Sequence, residues 1–340
     1  MLWFENDYSE GAHPKVLEHL VKTNLESLAP YGADVYSERA REKIRTACEC
    51  EGADVFFLCG GTQTNKVLIS SLLYPYEGAI CADTGHINTH ESGAIEASGH
   101  KVIGLPHKDG KVDAKALKNY LLTYEADATA EHMVRPGLLY LSHPTEYGTL
   151  YKKEELLALR AICLDHGLRL FVDGARLAYG LSAPDTDVTL ALLASLCDAF
   201  YIGGTKVGAL CGEALVFPCG APKHYLSVIK QNGALFAKGR VVGVQFDALF
   251  TDGLYEEIGK QADDLALFLK DTLMKKGYAP FLDSVTNQQF FVLENETIER
   301  LSEHVRFSRW DAVDDTHTVV RFVCGFCTQR KDVERLCALL

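Results

Sequence analysis

Short apolar runs alternate with helix-spaced apolar positions through the first two-thirds of this 340-residue chain. Segments 55–58, 78–81, 101–104, 138–141, 168–172 and 199–202 are largely apolar and of strand length. Between them, segments such as 67–73 and 154–163 carry apolar side chains at helical spacing. Strands buried on both faces need apolar side chains at nearly every position. The alternation therefore predicts an α/β protein with a mostly parallel sheet covered by helices on both faces.

Beyond residue 220 the pattern lengthens. From Tyr255 to Lys276, the side chains of Leu265, Phe268, Leu269, Thr272 and Leu273 share one helical face, and Gly277 supplies the stop. Segments 289–293, 304–307 and 318–323 then read as strands, followed by a closing helix near 331–339. A chain of this length exceeds what one core usually serves. The expected division is an N-terminal arm and helix, 1–20, joined to the small domain or an interface. A large domain, 21–245, and a small α+β domain, 246–340, follow it.

A formal charge of −12, with Lys and Arg scattered, disfavours a nucleic-acid surface. No run approaches the roughly 20 apolar residues of a membrane span. The acidic start, Met1 to Asp7, lacks the basic and apolar regions of a signal peptide. A cytoplasmic protein acting on a small molecule is expected, its 11 cysteines reduced and mostly structural. The sequon Asn295-Glu296-Thr297 matters only in a secreted chain. Cys324 and Cys327 form a C-x-x-C without a second ligand pair, so a structural role is expected there.

Three segments carry chemistry. Phe56 to Asn65 runs from a strand through Gly60-Gly61 into a helix start, which turns free N–H groups and a positive helix end toward one point and suits a phosphate. Asp173 closes the 168–172 run in Asp173-Gly174-Ala175-Arg176, at the sheet edge where open α/β folds bind ligands. Lys206 follows Gly203-Gly204-Thr205 just past another apolar run. A lysine that holds a cofactor aldehyde as a Schiff base, and a carboxylate that keeps a pyridine nitrogen protonated, together suit pyridoxal phosphate. Each segment also has a plain structural reading: a Thr-capped turn, a local Asp173–Arg176 ion pair, a solvated lysine. His86 and His90 stand four apart but lack the order and the third ligand of a metal site, so no metal is expected.

Glu5 to Pro14, Gly61-Thr62-Gln63-Thr64-Asn65, Asp83-Thr84-Gly85-His86, Phe171 to Arg176, Gly203 to Lys206, and Arg321 occur in this order over nearly the whole chain. In them the sequence resembles the threonine aldolase and β-eliminating lyase family of fold-type-I pyridoxal phosphate enzymes. The resemblance implies the fold-type-I architecture of pyridoxal phosphate-dependent transferases, and it implies site roles. Gly61 and Thr62 would donate to the cofactor phosphate, with Thr205 as a further donor. His86 would stack on the pyridine ring, Asp173 would meet the ring nitrogen and Arg176 the ring oxygen. Lys206 would be the Schiff-base lysine, Arg321 would capture the substrate α-carboxylate, and Asn6 would stand where relatives carry serine.

The implied reaction is cleavage of a β-hydroxy-α-amino acid, threonine or allo-threonine, to glycine and an aldehyde. Its base is open between His86, Glu146 acting through a water, and His143; Glu146 occupies the place of a histidine in better-known members. β-Elimination, transamination or racemisation on the same scaffold is the alternative, and a phosphate-ligand binding protein using the Gly60-Gly61-Thr62 turn is a third reading. The family also implies a homodimer or homotetramer with sites at the dimer interface, where Lys238 and Arg240 would approach the partner's phosphate.

Overall fold

A computed structural model describes residues 1–184 and 186–340. Its centre is a seven-stranded sheet. In chain order the fourteen strands among the described residues begin with β1 (Leu2–Trp3), β2 (Asp54–Leu58), β3 (Glu77–Ala82) and β4 (Val102–Leu105). A small hairpin, β5 (His107–Lys108) and β6 (Lys111–Val112), precedes β7 (Arg135–Ser142), β8 (Arg169–Asp173), β9 (Ala199–Gly203) and β10 (Glu213–Phe217). The small sheet uses β11 (Gln288–Glu294), β13 (Ser308–Ala312) and β14 (His317–Val323), with β12 (Val305–Arg306) pairing elsewhere.

The central order is β2-β10-β9-β8-β7-β3-β4, parallel except that β10 runs against both neighbours. Every residue of β3, β9 and β10 is buried, as strands covered on both faces require. All six expected strands of the sheet are present. β10 is an addition to the sequence reading: its apolar stretch opens on a buried glutamate, Glu213, which breaks the apolar signature. The segment read as a strand at 304–307 forms the short β12, which pairs in parallel with β1, and the edge strand β13 just after it is a further addition.

Parallel alignment brings the C-terminal ends of β3, β7, β8 and β9 to one edge. There the loops after β8 and β9 touch so closely that a Cβ on Gly174 would lie 2.1 Å from the Tyr201 carbonyl oxygen. One on Gly203 would lie 2.3 Å from that of Ala175. Glycine at both positions lets the Asp173 and Lys206 loops share one wall. The 22-residue helix Leu254–Lys275 packs on the short helix Leu177–Ser182 behind that wall. All 11 cysteines are free thiols, Cys324 and Cys327 included. Among the described residues no helix is long and apolar enough to cross a membrane.

Candidate active site

A cavity of ≈ 300 Å³ opens at this edge. Asp173 lies in its floor, and three donors converge on the carboxylate: Tyr140 Oη at 2.6 Å, the Ala175 N–H at 3.0 Å and Asn65 Nδ2 at 3.1 Å. The local Asp173–Arg176 ion pair does not form; Arg176 turns instead to Asp7.

Asn65 lies one turn into the helix Gly61–Leu72 and reaches two acids at once. Its Nδ2 also donates to Glu91 Oε1 at 2.7 Å, and the same oxygen lies 2.8 Å from His86 Nδ1. A carboxylate oxygen that already accepts from Asn65 accepts again here, so Nδ1 carries a proton, and in the neutral imidazole Nε2 is the nitrogen with the lone pair. The backbone N–H of His86 donates to Glu146 Oε1 at 2.8 Å, and Ser142 Oγ donates to that atom at 2.6 Å. Asp173, Asn65, Glu91, His86 and Glu146 thereby form one hydrogen-bonded chain around the cavity. Burial pushes the Glu146 carboxyl above its ordinary value, against the pull of the Ser142 hydrogen bond.

The helix Gly61–Leu72 starts at the cavity with Gly60 as a cap that has no side chain, which leaves its first N–H groups without a side-chain acceptor. A Cβ on Gly61 would lie 2.9 Å from Tyr201 Oη, so only glycine fits without displacing that ring. Thr62 and Thr205 line the same space.

Burial, reinforced by the Arg176 charge, pulls the Lys206 amine down to about 8. Beside it stands Glu213, whose Oε2 accepts from the Gly204 N–H at 3.0 Å and whose carboxyl burial pushes up to about 8. Arg321, on β14 of the small sheet, lies outside the lining of this cavity but near enough to Arg176, which lines it, for the two charges to act on each other. Arg321 Nη1 donates to Gln288 Oε1 at 3.1 Å, Nη2 to Ser308 Oγ at 3.1 Å and the Glu5 carbonyl at 3.3 Å, while Nε is buried without a partner. Asn6 folds back on its own loop, Oδ1 accepting from the Tyr8 N–H and Ser9 Oγ.

One expectation changes. His143 is fully buried and outside the cavity, with neither ring nitrogen partnered, and burial holds it down to about 4. Successive side chains leave a strand on opposite faces: Ser142 faces the cavity and His143 points behind it, toward Gly180 and Tyr151. It cannot meet a substrate there. Lys238 and Arg240, expected at a partner's site, lie outside the cavity of their own chain, and the Arg240 guanidinium donates to the Glu26 and Thr23 carbonyls. Sequence reading missed Asp7, Asn65, Glu91, Tyr140 and Glu213 as partners of the site. Asn65 and Glu91 stand within or beside recognised segments, but nothing local shows that they meet.

The fold and this cavity define a fold-type-I α/β enzyme. For the fold alone, a double mutant of Thermus thermophilus aspartate aminotransferase, 15% identical, matches with a TM-score of 0.70 over 100% of this chain and 90% of that one. The chain belongs to the β-eliminating lyase family, whose profile matches residues 11–250. It is 28% identical to a low specificity L-threonine aldolase of Pseudomonas sp., across 98% of this chain and 96% of the relative. The solved structure of Leishmania major threonine aldolase is 41% identical, with a TM-score of 0.96 over 100% of this chain and 98% of that one.

Proposed function

We propose that this protein is a pyridoxal phosphate-dependent lyase that cleaves a β-hydroxy-α-amino acid, threonine or allo-threonine, to glycine and an aldehyde. One observation carries the reading: Lys206, Asp173 and the uncapped helix start at Gly61 converge on a single cavity. The residues fit the cofactor. An uncapped helix start suits its phosphate, a buried carboxylate its ring nitrogen, and an amine pulled down to about 8 its aldehyde. When bound, the cofactor supplies an electron sink for the bond that breaks at Cα.

The protein's own groups have separate tasks in this reading. Gly61, Thr62 and Thr205 hold the phosphate; Asp173, oriented by Tyr140 and Asn65, holds the pyridine N–H. His86, fixed through Nδ1 by Glu91, covers the ring face, and Arg176 offers the ring oxygen an N–H not used by Asp7. A depressed pKa keeps a larger share of Lys206 unprotonated and nucleophilic near neutrality. Arg321, a half-buried guanidinium whose acceptors Gln288, Ser308 and the Glu5 carbonyl are all neutral, receives the substrate carboxylate with Asn6 nearby. The β-hydroxyl proton goes to Glu146 directly or through water, or to His86 Nε2. The same reading takes the chain as an arm, 1–20, a large domain, 21–245, and a small domain, 246–340. It also places the protein in the cytoplasm, as a homodimer or homotetramer in which Lys238 and Arg240 reach the partner's site.

Purified protein should be yellow, and Lys206→Ala should lose both the colour and its response to borohydride. Assays with threonine, allo-threonine, phenylserine, serine and cysteine then distinguish the reactions. Aldehyde and glycine from the hydroxy amino acids support the lyase reading. Pyruvate and ammonia from serine or cysteine, without aldehyde release, would replace it with β-elimination.

A further inference from the structure

We infer that Trp310 is a positioning residue for carboxylate recognition: its indole fixes the Arg321 guanidinium and ties it to the cavity wall that carries His86. The inference rests on Arg321 being the group that takes the substrate carboxylate.

The guanidinium carbon of Arg321 lies 4.9 Å from the centroid of the Trp310 ring. Gln288, Ser308 and the Glu5 carbonyl take hydrogen bonds at the guanidinium's terminal nitrogens. These acceptors are neutral. They set its orientation without cancelling its charge, and among the described residues no carboxylate pairs with Arg321. The indole adds the missing restraint, a negative ring face against the cation, and leaves the Nε–H edge without an acceptor.

Trp310 belongs to the edge strand of the small sheet, yet its other neighbours include the large domain's rings. Its centroid is 5.9 Å from that of Tyr147 and 6.3 Å from that of His90, with Phe290 of its own sheet at 5.3 Å. His90 caps the short helix His86–Thr89, and its ring is 5.7 Å from the ring of His86. A continuous line of ring contacts therefore runs from Arg321 through Trp310 and His90 to His86. Replacing Trp310 by a small residue frees Arg321 on one face and removes one of the links between the small sheet and the segment that carries His86.

The test compares glycine with glycinamide, which has no carboxylate, as ligands of the cofactor-loaded enzyme; binding is read from the absorption change without bond cleavage. Trp310→Ala should weaken glycine about ten-fold, within the range of a cation–π contact, and leave glycinamide nearly unchanged. Threonine should show a raised KM with kcat little altered. Trp310→Phe, which keeps a ring face, should recover most of the loss and serves if the alanine variant does not fold. In a Trp3→Phe background Trp310 is the sole tryptophan, and its emission should respond to glycine but not to glycinamide. Equal weakening of both ligands in Trp310→Ala, or a Trp310→Phe variant no better than Trp310→Ala, would overturn the role. If Arg321→Ala itself still prefers glycine to glycinamide, the fault lies instead with the reading of Arg321.

Discussion

Asp7 and Arg176, 169 positions apart, form a bidentate pair inside the protein, with Arg176 Nε donating to Oδ2 at 2.8 Å and Nη2 to Oδ1 at 3.0 Å. Asn287 Nδ2 adds a third hydrogen bond to Oδ2 at 2.9 Å. Burial acts to raise the Asp7 carboxyl, but the charges of Arg176 and Lys206 outweigh it and hold the group below its ordinary range. The pair fastens the segment after β1 to the loop that follows Asp173, and Asn287, the residue before β11, reaches the same carboxylate.

Replacing Asp7 by Ala leaves a largely buried guanidinium, at the cavity wall, without its counter-charge. Loss of one partner from a buried pair costs about 3–5 kcal/mol. Urea denaturation of the cofactor-free protein should show a loss of that order for Asp7→Ala. A loss below about 1 kcal/mol, the scale of an exposed ion pair, would mean that water reaches the pair in solution.

Glu146 and His143 stand three positions apart and make opposite predictions. Glu146→Gln removes an acceptor facing the cavity and should lower kcat/KM by about 10²–10⁴, the usual contribution of a general base. Because burial raises the Glu146 carboxyl, its basic form is lost as pH falls through the raised value. The acid limb of the wild-type pH–rate profile should accordingly flatten in the variant. His143→Leu replaces a ring whose nitrogens are unpartnered and should leave kcat/KM essentially as it was. A reversal of these two results would return the base to His143.

Much of this arrangement is legible in the sequence because buried parallel strands need nearly unbroken apolar runs, and Gly61, Asp173 and Lys206 each follow one closely. The small-domain strands are legible for a similar reason. What cannot be read is which side chains meet across distance. Asp7 finds Arg176 only once β1 has paired with β12, and Asn65 finds Glu91 and Asp173 only when β2, β3 and β8 share a sheet. His143 illustrates a finer limit: one step along the end of β7 separates a cavity-facing Ser142 from a buried histidine.

Asp247 should govern part of the acid stability. His19, Arg39 and Lys43 each reach its carboxylate at 2.7 Å. Burial works to raise the group, but the hydrogen bonds from Arg39, Lys43 and His19 prevail and hold it at about 2 against an ordinary 3.8. A depressed carboxyl stabilises the fold above its unfolded pKa and loses that contribution as pH falls through the folded value. The contribution, on the order of 2 kcal/mol, should be complete above about pH 5, fall steadily below that and be gone near pH 1. Denaturation of wild type and Asp247→Asn across that window should show their stability gap narrowing as pH falls; a constant gap would refute the linkage.

Glu213 carries the opposite sign. It is buried on β10, accepts from the Gly204 N–H and lines the cavity with Lys206; burial pushes its carboxyl up to about 8. When folding raises a carboxyl, the cost of ionising it is absent below the unfolded pKa. That cost grows as pH rises toward the folded value and is constant beyond it. Glu213→Gln keeps a side chain of nearly the same shape, can still accept from Gly204, and has nothing to ionise. Its stability relative to wild type should therefore increase from about pH 5 to about pH 8 and level off above that. Lys206 titrates in both proteins, so their difference chiefly isolates Glu213, together with its coupling to that amine. If the difference stays flat across this range, Glu213 ionises as an ordinary glutamate, and Lys206 sits beside a fixed negative charge instead of a carboxyl that still holds its proton near neutrality.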